Sequence, residues 1–131
     1  MARKDTETER RTLLCVNASL EKKAKNLIII DMSEVSSFTD YFVICSGTSS
    51  RHVQAIAQSI QENLKKSGIS PLGVEGENVG TWILLDYDDV VVHVFYEPVR
   101  EFYDIERLWP DAPRTAIDEE ATEMKALNQR R

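Results

Sequence analysis

Between Leu13 and Leu27 the apolar residues Leu13, Val16, Leu20, Ala24 and Leu27 recur every three or four positions. That spacing lays one apolar stripe along a helix. Asn26 and the β-branched run at Ile28–Ile30 then predict a strand ending near Asp31. After a loop-like stretch, SEVSSFTD at 33–40, the run YFVICS at 41–46 reads as a buried strand. The clearest helical period follows. Val53, Ile56, Ala57, Ile60 and Leu64 share one face, and Arg51, Gln54, Gln58, Glu62 and Lys65 mostly lie away from it. Gly68 suits the helix stop, and Lys65 and Lys66 suit the negative end of its dipole.

The stretch ISPLGVEGENVG holds three glycines and a proline and predicts at most a short strand around Leu72–Glu75. TWILLDY (81–87) and VVVHVFY (90–96), separated by Asp88-Asp89, predict an antiparallel hairpin. Val99, Phe102, Tyr103 and Glu106, with Leu108 and Trp109, predict a short helix with Pro98 in its first turn and Pro110 and Pro113 as its stop. Residues 1–11 are charged and aperiodic and predict a flexible start. Residues 110–131, ending in Arg130-Arg131, predict a flexible tail, with a weak helix at most around Ala121, Met124, Ala126 and Leu127. The expectation is a single α/β domain over 12–109, a mixed five-stranded sheet flanked by helices.

The 131 residues are 42% hydrophobic, enough for a real core. The longest apolar runs, LIII at 27–30 and VVVHVF at 90–95, are too short to span a bilayer. MARKDTETERR lacks the apolar centre of a secretory signal, so a cytoplasmic location is expected. Cys15 and Cys45 sit in a helical and a strand pattern and read as buried, reduced thiols. With two histidines and no Cys-x-x-Cys, neither a metal nor another cofactor is expected. Net charge is −6, and between Pro71 and Trp109 nine acids face two bases. Such a stretch repels phosphate backbones, so direct nucleic-acid contact is not expected, and a basic protein surface is a better match. Simple solvation of surface carboxylates fits the same charges.

SGTSSRHVQAI at 46–56 puts Gly47 and four hydroxyls where a strand turns into a helix, a place where free N–H groups can hold an anion. Ser and Thr are also the ordinary caps of any helix. A phosphate loop needs a lysine after its second glycine, and a dinucleotide fingerprint needs three glycines; neither is present. A nucleotidyltransferase would place two metal-binding carboxylates soon after such a turn, yet the first acid here is Glu62, on the helix. A nucleotide-binding enzyme using Gly47–Ser50 stands as the alternative. His93, within an apolar strand, reads as a buried, hydrogen-bonded imidazole rather than a base. In the hairpin Trp82, Leu84 and Asp86 share one strand face and Ile83, Leu85 and Tyr87 the other. Arg100 and Tyr103 lie one helical turn apart. Trp, Tyr and Arg are enriched where interfaces concentrate their energy. From the pattern alone, interface and core both fit Trp82 and Tyr103.

GTSSRHVQAIAQSI, PLGVEGEN, WILLDYDDVVVHVF and REFYDIERLW, in this order and spacing, closely resemble the ribosomal silencing factor (RsfS, or Iojap) family from about Leu13 to Trp109. The resemblance implies a non-enzymatic translation repressor with a nucleotidyltransferase-like fold that lacks the catalytic acids. It implies binding to the large ribosomal subunit through ribosomal protein fourteen and a steric block to small-subunit joining. It also implies a contact surface at Trp82, Leu84 and Asp86 on the strand and Arg100 and Tyr103 on the helix. Trp82 and Tyr103 would be apolar anchors, with Leu84 between them and Asp86 on a basic side chain. Arg100 would bond the partner or hold Asp86 or another acid. Family members can self-associate, so a homodimer stays open.

Overall fold

The computed structural model of the chain describes residues 6–118 and 120–127. Helix α1 (Thr6–Glu21) and strand β1 (Lys25–Asp31) lead into β2 (Tyr41–Gly47) and α2 (Ser50–Lys66). Then come β3 (Gly73–Glu75), β4 (Trp82–Asp86), β5 (Val90–Tyr96), α3 (Glu97–Tyr103), a 3-10 turn (Ile105–Leu108) and β6 (Arg114–Ala116). The sheet runs β3-β4-β5-β2-β1-β6, antiparallel except for the central β2–β5 pair. Among the described residues no helix is long and apolar enough to cross a membrane.

Helices α1 and α2 cover one face. Val53, Ile56, Ala57, Ile60 and Leu64 of α2 are fully buried there against Ile83 and Leu85 of β4 and Val92 and Val94 of β5. Strand alternation sends the other residues to the opposite face, where a smaller cluster forms around Ile30, Ile44 and Phe95. Among the described residues, α3 and the chain from 104 to 112 pack over part of that face. Phe42 and Trp82 are half-buried there beside Val99, Ile105 and Trp109. Cys15 and Cys45 are free and buried between helices and sheet, and burial pushes the Cys45 thiol up to about 12.

Four expectations are corrected. α1 begins at Thr6, inside the stretch expected to be flexible, because Thr8 Oγ1 donates to Asp89 (2.7 Å) and Arg11 reaches the Tyr87 carbonyl (3.2 Å). The helix also stops earlier, at Glu21: Lys23 turns left-handed (φ 60°), so Ala24 and Leu27 reach the core from outside it. The predicted helix through Trp109 breaks at Asp104 (φ 44°), which turns the chain so that Trp109 meets Phe42 edge-on at 5.2 Å. The sheet has six strands rather than five, because the expected tail supplies β6, paired to β1 from Ile28↔Ala116 to Ile30↔Arg114. Arg130-Arg131 and residues 1–5 lie outside the described residues.

The tail then crosses back to α1 without forming a helix among its described residues. Met124 is buried in the main core. The Asn17 side chain acts as a strand's edge would: Nδ2 donates to the Met124 carbonyl (3.0 Å) and Oδ1 accepts the Met124 N–H (2.7 Å). Ala121, Met124 and Leu127 pack on the main core and pin an extended strap. Removing a partner from buried backbone groups costs about 1–3 kcal/mol. Asn17→Ala is therefore expected to speed amide hydrogen exchange at Met124 by about tenfold or more while β2 and β5 stay protected. Unchanged exchange at Met124 would mean that the strap is held by something else.

Candidate functional site

The first candidate, the turn from Gly47 to Ser50, is closed by its own side chains. Ser49 caps α2 by accepting the His52 N–H (3.0 Å). The Thr48 N–H donates to His52 Nδ1 (2.9 Å), so the ring proton sits on Nε2, which donates to the Lys22 carbonyl (2.7 Å). The Val53 N–H bonds the Ser49 carbonyl. A Cβ at Gly47 would lie 2.9 Å from Val53 Cγ2, so this glycine serves helix–strand packing. Three N–H groups of this turn, those of Thr48, His52 and Val53, are thus already occupied within the chain. Among the described residues no three His, Cys, Asp or Glu side chains gather as metal ligands.

The second candidate is the thinly covered sheet face. β4 is half-buried at Trp82, Leu84 and Asp86 and fully buried at Ile83 and Leu85, so the first three stand on the open side. Trp82 stacks at a tilt on Phe95 (4.8 Å between centroids) and meets Tyr103 of α3 at 5.1 Å. Tyr103 is 48% exposed, and Phe102, edge-on to it, is 80% exposed. Trp82, Leu84, Asp86 and Tyr103 thus share one surface.

Trp82 is aimed by a buried neighbour. Its indole Nε1–H donates to His93 Nδ1 (3.2 Å). Since indole nitrogen only donates, Nδ1 must be unprotonated and Nε2 must carry the hydrogen. His93 is 5% exposed, its Nε2 has no acceptor among the described residues, and burial lowers its pKa to about 4. The expected buried, hydrogen-bonded histidine is therefore present, with only one nitrogen partnered.

Arg100 is turned inward. It is 8% exposed. Nε bonds Glu106 (2.8 Å), and Nη1 bonds the Asn26 carbonyl (2.7 Å) and Ser46 Oγ (2.9 Å). The β1–β2 pairing is irregular between Lys25 and Ile28, and Asn26 sits there left-handed (φ 50°). Of the two roles expected for Arg100, the geometry supports the internal one, with Glu106 rather than Asp86 as the acid. It is a positioning residue that ties α3 and the following turn to the ends of β1 and β2. Phe38, 87% exposed on the loop after β1, and Phe102 belong to this surface too. The pattern gave no role to Phe38, although a lone aromatic in a polar loop is the signal that could have marked it.

The lowered pKa of His93 has a sign. Between about 4 and the ordinary imidazole value near 6.5 the unfolded chain takes up a proton that the folded chain refuses, so stability falls as pH falls through that window. One proton gives a slope of at most about 1.4 kcal/mol per pH unit. His93→Gln is expected to flatten the acid side of the stability profile between about pH 6.5 and 4. An unchanged slope in the variant would assign the acid sensitivity to other groups.

A family profile described as "Ribosomal silencing factor during starvation" matches residues 5–131. The ribosomal silencing factor RsfS of Bacillus subtilis is 42% identical over 98 residues, covering 75% of this chain and 83% of that protein. A mouse protein named "Mitochondrial assembly of ribosomal large subunit protein 1" is 30% identical over 99 residues, 73% of this chain but 43% of its own length. The crystal structure of a Chromobacterium violaceum protein superposes with a TM-score of 0.76 at 37% identity, covering 86% of this chain and 95% of that one. The profile spans both the expected tail and the domain before it, and by it and these relatives the chain belongs to the ribosomal silencing factor family.

Proposed function

We propose that the open sheet face docks this chain on the large ribosomal subunit, through the basic surface of ribosomal protein fourteen, and that the bound chain stands where the small subunit would join. The carrying observation is that face itself: Trp82 and Leu84, half-buried, and Tyr103, exposed, lie together on one surface, in a stretch with nine acids and two bases. A half-buried aromatic group rimmed by carboxylates suits a cationic protein surface better than a phosphate backbone. The family supports a ribosomal partner, and the mouse relative's name ties that protein to the large subunit.

The mechanism is exclusion and needs no chemistry. Trp82 and Tyr103 anchor, Leu84 fills between them, and Asp86 meets a cation. Arg100 acts through α3, holding Tyr103 at its angle to Trp82. Repression then follows occupancy, set by the chain's concentration relative to its dissociation constant and by competition from the small subunit. Such an action belongs in the cytoplasm, where the subunits meet. The same face would also serve a homodimer, in which case self-association competes with docking.

Losing a central aromatic anchor costs about 2 kcal/mol or more, roughly thirtyfold in affinity. Trp82→Ala is expected to stay folded by circular dichroism and to lose co-sedimentation with purified large subunits. Full affinity in that variant would move the interface to another face.

A further inference from the structure

At the far end of the open face lies a hollow of about 480 Å³ that no element of the fold fills. Phe38 and Phe42 form one side, Leu84, Val91 and His93 the floor, and Asp86 and Asp88 the rim. Resting on the proposed docking to the large subunit, we infer that this hollow receives an arginine side chain of the partner protein.

The loop that carries Phe38 is built rather than loose. Ser33 donates to Asp31 Oδ1 through both its N–H (3.0 Å) and its hydroxyl (2.6 Å). The N–H groups of Phe38 and Thr39 donate to Ser36 Oγ (3.0 and 3.3 Å), and Met32 N–H closes the loop on the Asp40 carbonyl (2.7 Å). This framework holds a phenyl ring in solvent, with no ring partner among the described residues. An exposed aromatic group on a preorganised loop loses little entropy on binding, and its apolar surface is left to a partner.

The rim sets the charge of the occupant. Asp86 Oδ1 accepts the Asp88 N–H (2.8 Å), and both aspartates line the hollow beside the β4–β5 turn. Among the described residues neither is paired with a cation, whereas the neighbouring Asp89 is held by Arg11. The walls set its shape: an aliphatic stem packs on Leu84 and Val91, and a planar cation lies against the phenyl ring of Phe38. Guanidinium meets both demands better than ammonium, because it stacks on aromatic faces and forks to two carboxylate oxygens. His93, whose Nε2–H lacks an acceptor, lines the same hollow.

The test measures affinity of the full chain for purified large subunits at several salt concentrations. Wild type is compared with Phe38→Ala, with the double variant Asp86→Asn/Asp88→Asn, and with Trp82→Ala. Phe38→Ala is expected to weaken binding about tenfold, and the double variant to weaken it and flatten its salt dependence. A structure of the complex is expected to show a guanidinium between Phe38 and Asp86. If Trp82→Ala abolishes binding while Phe38→Ala and the double variant bind as wild type does, the arginine site is wrong and the docking face stands. A hollow left open to solvent or filled by an apolar or nucleic-acid group in the complex overturns it equally. If wild type does not bind large subunits, the docking proposal itself fails first.

Discussion

A twisted sheet has two faces, and this chain has long helix enough for one of them. α1 and α2 close the first face with a fully buried aliphatic core. The second is left to seven residues of α3, a single 3-10 turn and the turns at 109–112 after it. That imbalance follows from chain order. Two long helices precede the β3–β4–β5 meander, and the chain after β5 is broken by Asp104, Pro110 and Pro113. What is left over is apolar, aromatic and reachable, and the functional proposal depends on it.

The uncovered side chains are also fixed in place. Trp82 is held from below by the hydrogen bond to His93 and from the side by Phe95 and Tyr103. α3, which brings Tyr103, is tied by Arg100 to Glu106, Asn26 and Ser46, joining three separate parts of the chain at one guanidinium. A surface whose rotamers are already set loses less entropy when it is covered. Dispersed stability would serve a free-standing domain equally well. In the proposed docking, the contacts of His93 and Arg100 keep Trp82 and α3 set before the partner arrives.

Much of this was legible in the residues, for physical reasons that differ by element. α2 carries a strict 3.6-residue period and β4 a strict alternation, so the sides on which Val53 and Trp82 fall could be read directly. Expecting Trp82 on an open face rather than in the core needed the family resemblance, since half-burial leaves no mark on a pattern of apolar letters. Arg100 was found but its direction was not, because an arginine's partners lie far off in sequence: Ser46 and Asn26 come from β2 and β1. β6 and the strap through Met124 were missed for a related reason. Their ordering comes from pairing with β1 and from the Asn17 side chain, not from any period of their own. The start of α1 was hidden likewise, because its first turn is fixed by Asp89, some eighty residues away.

The central claim, that a bound chain leaves no room for the other subunit, is tested most directly by subunit joining itself. Purified small and large subunits are mixed at a magnesium concentration that favours association, and joined particles are followed by light scattering as the chain is added. The expected result is a loss of joined particles that saturates near one chain per large subunit and reverses as small subunits are added in excess. Full joining while the chain remains bound to the large subunit would contradict the account.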